Sequence, residues 1–203
     1  ANIKTITLAP EIEGMEQFIP FLIDKGINVQ FGHTLAQSEA CKRYMNLHNI
    51  SFTHLYNAMS DNNHRNPGAL SAALSSGQFA EIICDLNHVS SEAILIAKKC
   101  IPDLYAITDS IAATGMKDGK YNFANVEIEK KNNKVYLTNT NTLAGSCINM
   151  HETFLNLLKL NISLQDAVRM TSYSASKYLN QNDIGSIDIE KKANFLILDQ
   201  EFN

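Results

Sequence analysis

The sequence predicts an α/β protein of the (β/α)8 barrel type, with this chain supplying about strands four to eight and part of a small β-subdomain. Three observations carry that expectation. Short β-rich runs alternate with longer runs of helical apolar spacing, the pattern of parallel strands joined by helical crossovers. Each of the five strands is followed within a few residues by a polar or ionisable side chain: Glu11, His33, His54, His88 and Asp109. A doubly wound sheet also fits the alternation, but it gathers its chemistry at one switch-point crevice, whereas a barrel places it at every strand's carboxyl end. Finally, 203 residues fall short of the roughly 250 of a whole barrel. The chain opens at Ala1 on a strand-like run with no initiator Met, so three βα units are expected upstream of it.

The elements follow in order. Residues 3–8 read as a strand. Residues 12–25 have helical spacing and stop at Gly26, a residue suited to the left-handed conformation after a helix. Residues 27–31 form the second strand, and 38–46 a helix with Ser38 as its N-cap. Residues 51–55 are the third strand. The polar loop 60–68 leads to a helix at 69–75. Residues 79–84 are the fourth strand, 90–99 a helix ended by Pro102, and 104–108 the fifth strand. The texture then changes. Residues 126–130 and 135–138 flank Lys-Asn-Asn-Lys, a hairpin signal. Residues 148–158 read as a helix, and Ser163-x-x-Asp166 opens another through about Ser174. The tail reads as two short strands within 185–198. The domain reading is therefore barrel over 1–180 and partial β-subdomain over 181–203.

Composition narrows the function. Hydrophobic residues make up 45% and charged residues 19%, ordinary for a globular chain. The net charge of −4 argues against a nucleic-acid partner, which would call for a basic face. No window reaches the ~18 continuous apolar residues of a membrane span, and no secretory leader is visible. Cys41, Cys84, Cys100 and Cys147 are scattered without a Cys-x-x-Cys pair. They read as small core residues of a reduced, cytoplasmic protein.

Several positions could carry chemistry. His33 and His54 end neighbouring strands 21 residues apart, about one βα unit, so two imidazoles could converge on a Zn or Fe ion. Satisfied core or surface histidines are the ordinary alternative. Asp109 closes the fifth strand and reads either as a helix N-cap or as a carboxylate beside a metal-bound water. Arg65, in the polar loop, has the bidentate fork that suits phosphate or carboxylate; a solvated loop arginine is the other reading. Leu143, Ala144, Gly145 and Ser146 could form a tight turn with backbone donors facing a ligand. Glu11 suits either a metal or the amino end of a helix. His48 and His151 lie in helix-like runs and read as non-functional, and His64 is a weak anion contact.

Taken together the motifs resemble N-acetylglucosamine-6-phosphate deacetylases of the amidohydrolase superfamily. The collinear strings are Thr-Leu-Ala-Pro-Glu at 7–11, Gly-His-Thr at 32–34, Thr-His-Leu-Tyr-Asn-Ala-Met at 53–59, Arg-Asn-Pro-Gly at 65–68, Asp-Leu-Asn-His-Val at 85–89, Thr-Asp at 108–109 and Leu-Ala-Gly-Ser at 143–146. The resemblance covers nearly the whole chain and implies a metal-dependent barrel with a small β-sandwich. It implies that His33 and His54 hold a divalent metal and that Asp109 is the general base and acid. His88 would contact substrate. Asn57 and Ala58 would lie at the phosphate end, Arg65 would pair with the phosphate, and Leu143, Ala144, Gly145 and Ser146 would line the sugar pocket. A homodimer is implied for the full-length enzyme.

Two departures stand out. The His-Leu-Glu-Gly-Pro motif that carries the family's metal-binding Glu is absent, and Glu11 belongs to a different motif. Leu86 stands where the family usually has Gly, which unsettles His88 if that position needs a positive φ. The expected activity is hydrolysis of the N-acetyl amide of N-acetylglucosamine 6-phosphate. The rivals are a deacetylase for N-acetylgalactosamine 6-phosphate or a cyclic-amide hydrolase, a non-catalytic fragment or degenerate paralogue with a binding role, and a metal-free phosphosugar isomerase.

Overall fold

Five parallel strands run through the first half of the chain, each paired with its sequence neighbour wherever the ladder is formed. A computed structural model describes residues 3–46 and 48–202; Ala1 and Asn203, the outer limits of the two expected domains, lie outside them. The strands are β1 (Thr5–Leu8), β2 (Asn28–Phe31), β3 (Ser51–Phe52), β4 (Phe79–Ile83) and β5 (Asp103–Ile107). One sheet has the order β1-β2-β3 and the other β4-β5. Beyond the β3 ladder, Leu55 N still donates to Glu81 O at 2.8 Å, tying the end of β3 to β4. Neither sheet reverses its order, so neither contains the switch point of a doubly wound fold.

The helices between them are α1 (Met15–Asp24), α2 (Ser38–Met45), α3 (Ala69–Ser76) and α4 (Ser91–Cys100). Gly26 takes φ +70°, as its place after α1 requires. The cap of α2 differs from expectation. Gln37 is the N-cap and Ser38 the first helical residue, with no side-chain capping bond. His48 lies in a bend past the end of α2 rather than in a helix. The strand expected over 51–55 leaves the ladder after Phe52, because His54 turns to φ +31°.

The core is the layer between sheet and helices. Phe31 and Phe52 are fully buried and meet edge to face at 5.9 Å, and Tyr44 of α2 closes on Phe31 at 6.1 Å. Burying each such ring stabilises the fold by about 1.5–3 kcal/mol. Cys41 and Cys84 belong to this core, where burial pushes each thiol up to about 12. Cys100 is exposed and Cys147 half-buried, so the core reading of the cysteines holds for two of the four.

After β5 the chain forms an antiparallel meander of β6 (Gly119–Phe123), β7 (Val126–Lys131) and β8 (Lys134–Leu137). The β7–β8 hairpin turns on Asn132 and Asn133, both left-handed at φ +52° and +57°, the conformation a two-residue hairpin loop demands. Its partner β6 is short and largely exposed, and it was not read from the sequence although Tyr121 and Phe123 alternate with Lys120 and Asn122. Then follow α5 (Met150–Lys159), α6 (Leu164–Val168) and, after a π turn at Arg169–Tyr173, α7 (Ser174–Tyr178). Asn149 caps α5 with a reciprocal capping box to Glu152. Ser163 caps α6 by accepting from Asp166 N.

The tail corrects the sequence reading. No strand forms within 185–198. Ile187 and Ile189 are 85% and 89% exposed, and Ile197 91%. A strand exists only where its backbone N–H and C=O groups find a partner edge, and among the described residues none is offered. Farther on the chain returns to the body: Phe202 stacks edge to face on Phe154, and its carbonyl meets His151 Nε2 at 2.6 Å.

Candidate active site

His33 and His54 follow the carboxyl ends of the paired strands β2 and β3, and His88 and Asp109 those of the paired strands β4 and β5. His33 and His54 converge. Their Nε2 atoms are 3.0 Å apart and the rings stand at 78° with centroids 4.8 Å apart. Imidazole nitrogens that close can both lie about 2.0–2.1 Å from one ion. His33 is exposed, while His54 is 8% exposed and its Nδ1 is buried with no hydrogen-bond partner among the described residues. Two donors are fewer than a closed site needs, and among the described residues no group of three or more His, Cys, Asp or Glu could hold a metal ion.

The backbone aims these rings through unusual dihedrals. His33, His54, Tyr56, Ala58 and Asp109 all have positive φ, between 31° and 77°. Each costs of order 1–3 kcal/mol, and such residues cluster where function holds them. What holds His33 is visible. Glu11 Oε2 accepts from Thr34 Oγ1 at 2.5 Å and Glu11 Oε1 from Leu35 N at 2.7 Å. Glu11 precedes α1 by four residues, so it is not in the first turn of that helix, and each of its oxygens is engaged by the loop after His33. Gly32 allows the close approach of the neighbouring strands, since a Cβ there would sit 2.7 Å from Thr53 Cβ.

The strands beside His54 carry a polar network that sequence reasoning missed. Gln30 Nε2 donates to Glu81 Oε1 and to Tyr105 OH, each at 2.8 Å. Tyr105 OH also shares a hydrogen bond with Ser51 Oγ at 3.1 Å. Glu81 Oε2 accepts from His54 N at 3.4 Å. Burial pushes the Glu81 carboxyl above its ordinary range, against the pull of the bonds from Gln30 and His54. The signal was present: Glu81 is the only charged residue in the run Phe-Ala-Glu-Ile-Ile.

Asp109 is exposed and no helix starts after it, which removes the N-cap reading. Its loop is stapled to residues 143–146. Asp109 O accepts from Ser146 N at 2.8 Å, Ser146 Oγ donates to Thr108 O, and Ser110 Oγ donates to Ile148 O. Gly145 sits inside this junction at φ +65°; a Cβ there would lie 2.6 Å from Ile111 Cγ2 and 3.0 Å from Asp109 O. Gly145→Ala is therefore expected to lower unfolding free energy by about 2 kcal/mol, from left-handed strain plus overpacking. Urea titration of the variant checks this. An unchanged midpoint would mean the two loops separate freely.

His88 is fixed by Asp85, the first residue of its own motif. Its Nδ1 meets Asp85 Oδ2 at 2.7 Å, both side chains being 8% exposed, and Asp85 Oδ1 accepts from His88 N at 2.8 Å. Burial opposes the Asp85 anion, but the bonds from the His88 ring and the His88 and Asn87 amides outweigh it and hold the carboxyl below its usual range. This leaves Nε2 of His88 as the ring nitrogen free of Asp85. Leu86 does take φ +61°, the conformation a glycine would adopt easily, and His88 is anchored all the same.

Asn57 closes the turn after His54: its Nδ2 donates to the carbonyls of His54 and Leu55, each at 3.3 Å. Ala58 O accepts from Thr34 N at 3.1 Å, coupling the two histidine loops. Arg65 and His64 are exposed on a loop closed by Asn63, whose Oδ1 accepts from Arg65 N and Asn66 N. The Arg65 guanidinium has no partner among the described residues, so it is not brought into contact with the histidine pair. His151 spends its Nε2 on the tail, in keeping with a structural role.

The site thus brings two strand-end imidazoles together on adjacent parallel strands, and comparison with known proteins gives the family. The amidohydrolase family profile matches residues 16–203, and the chain belongs to that family. Among curated relatives, N-acetylglucosamine-6-phosphate deacetylase of Bacillus subtilis is 35% identical over 98% of this chain and 51% of its own length. That of Vibrio furnissii is 33% identical over 98% and 50%. The crystal structure of the Pasteurella multocida deacetylase superimposes with a TM-score of 0.93 at 33% identity, covering 99% of this chain and 54% of that one. The chain thus spans about half the length of the curated relatives it matches. Among the described residues no helix is long and apolar enough to cross a membrane.

Proposed function

We propose that this chain forms part of an enzyme that hydrolyses the N-acetyl amide of N-acetyl-D-glucosamine 6-phosphate, releasing acetate and D-glucosamine 6-phosphate. On this reading β1 to β5 are strands four to eight of a (β/α)8 barrel. Residues 1–180 belong to that barrel and 181–203 to a second, smaller unit. The enzyme works as a cytoplasmic homodimer. The observation that carries the reading is the approach of His33 and His54 Nε2 to 3.0 Å at the ends of adjacent parallel strands.

Those two imidazoles would hold a divalent ion, Zn or Fe, together with ligands from elsewhere; when bound, the ion polarises the acetyl oxygen and acidifies a water. The remaining work falls to residues of this chain. Asp109 accepts the proton of the attacking water and returns it to the departing amine, so one carboxylate serves as base and then acid. His88, turned by Asp85, presents Nε2 to the substrate. Leu143, Ala144, Gly145 and Ser146 line the sugar pocket beside Asp109. Asn57 and Ala58 shape the phosphate end, and Arg65 pairs with the phosphate itself. Binding a group that does not react orients the amide, so phosphate recognition feeds turnover as well as affinity.

The test is acetate release by the intact protein from N-acetylglucosamine 6-phosphate, N-acetylgalactosamine 6-phosphate and unphosphorylated N-acetylglucosamine. Metal-dependent cleavage that prefers the first is expected. Cleavage of a cyclic amide but none of these three would refute it. Arg65→Gln is expected to lower kcat/KM for the phosphorylated sugar by at least about tenfold, the worth of one charge-assisted pair. The unphosphorylated sugar would be hardly affected. Equal losses on both would remove Arg65 from phosphate recognition.

A further inference from the structure

Lys130 lies within β7 and is only 5% exposed, yet among the described residues no carboxylate forms an ion pair with it. Its Nζ donates instead to Ala113 O at 3.1 Å and Met116 O at 2.7 Å. Both carbonyls belong to the loop that leaves Asp109. Lysine is among the residues least often found fully buried, and an apolar side chain of similar length would fill the same space without the cost of burying an amino group. What Lys130 adds is a pair of donors aimed at two carbonyls of one loop.

The loop it grips is the one that carries Asp109. Ile111 N donates to Ser146 O at 3.2 Å, Thr114 N to Ile111 O at 2.9 Å and Met116 N to Ala113 O at 3.1 Å. The apolar seam below it joins Ala113 to Ile128 and Val135, all three fully buried. The meander therefore holds the loop by an apolar face and by one polar pin. From this geometry we infer that Lys130 is a positioning residue: it fixes the 111–116 turns against β7 and so keeps Asp109 registered against residues 143–146. The inference rests on Asp109 being the proton-transfer group.

The test compares the intact metal-loaded protein with Lys130→Met, Lys130→Arg and Asp109→Asn. Two quantities are read: amide hydrogen exchange at Thr114 and Met116, and kcat and KM on the phosphosugar. Lys130→Met is expected to speed exchange at both amides by roughly tenfold, the worth of a lost hydrogen bond to local opening. It also lowers kcat by a similar factor, with KM within about twofold. Lys130→Arg, which keeps two donors, recovers both. Unchanged exchange, or faster exchange with normal kcat, overturns the inference. Turnover retained in Asp109→Asn refutes the underlying catalytic reading instead, and the exchange result distinguishes the two failures. Should Lys130→Met not fold, Lys130→Gln, with a shorter side chain and an amide donor, is read by the same two measurements.

Discussion

Asp109→Asn is expected to keep its metal and to lose turnover by on the order of 10²- to 10⁴-fold, the usual worth of a positioned general base. The substitution is nearly isosteric, and asparagine tolerates the left-handed backbone that Asp109 holds at φ +50°. Asp109 is exposed and its backbone carbonyl, not its carboxylate, receives Ser146 N. Stability should therefore stay within about 0.5 kcal/mol. The loss then falls on kcat, with KM little changed, because the carboxylate acts on a proton that moves only in the transition state. Metal content, a urea midpoint and steady-state kinetics on one preparation check all three. Near-normal kcat would take Asp109 out of proton transfer, whatever the other assignments.

His33→Ala and His54→Ala are both expected to weaken metal binding by a hundredfold or more, since loss of a direct ligand exceeds the 10–100-fold typical of an outer partner. The two differ in what else they cost. His33 is exposed, so its removal leaves the metal-free protein about as stable as before. His54 is 8% exposed, and its backbone N donates to Glu81 of the Gln30–Glu81–Tyr105 network. Truncating it opens a cavity and costs about 1–3 kcal/mol even without metal. Metal titration beside thermal unfolding in chelator separates these effects. Unchanged metal affinity in both variants would return the pair to the status of two histidines in edge-to-face contact.

The alternation of strands and helices was legible because it rests on local physics. Gly26 can end α1 only because it can adopt φ +70°, and Asn132 and Asn133 make a two-residue hairpin loop because both accept left-handed geometry. The strand-end histidines were legible through their spacing, since one βα unit of separation places side chains on neighbouring strands. The tail misled for a complementary reason. The isoleucines at 187 and 189 alternate as a strand would, but alternation records a preference for burial and not the presence of a partner edge. The strand β6 failed the other way: its pairing with β7 is real, but its side chains are mostly in water.

The sequence by itself determined the order of βα units, the residues that stand at the strand ends, and the motif-level likeness to the deacetylases. Tertiary structure decided which of those residues meet. It put the two imidazoles 3.0 Å apart, spent Glu11 on the His33 loop, joined Asp85 to His88, and set Lys130 under the loop of Asp109. The division has one physical cause. Periodicity and turn chemistry act over a few neighbouring residues and leave a trace in the string. A hydrogen bond between Gln30 and Tyr105 depends on where two distant strands finally lie side by side.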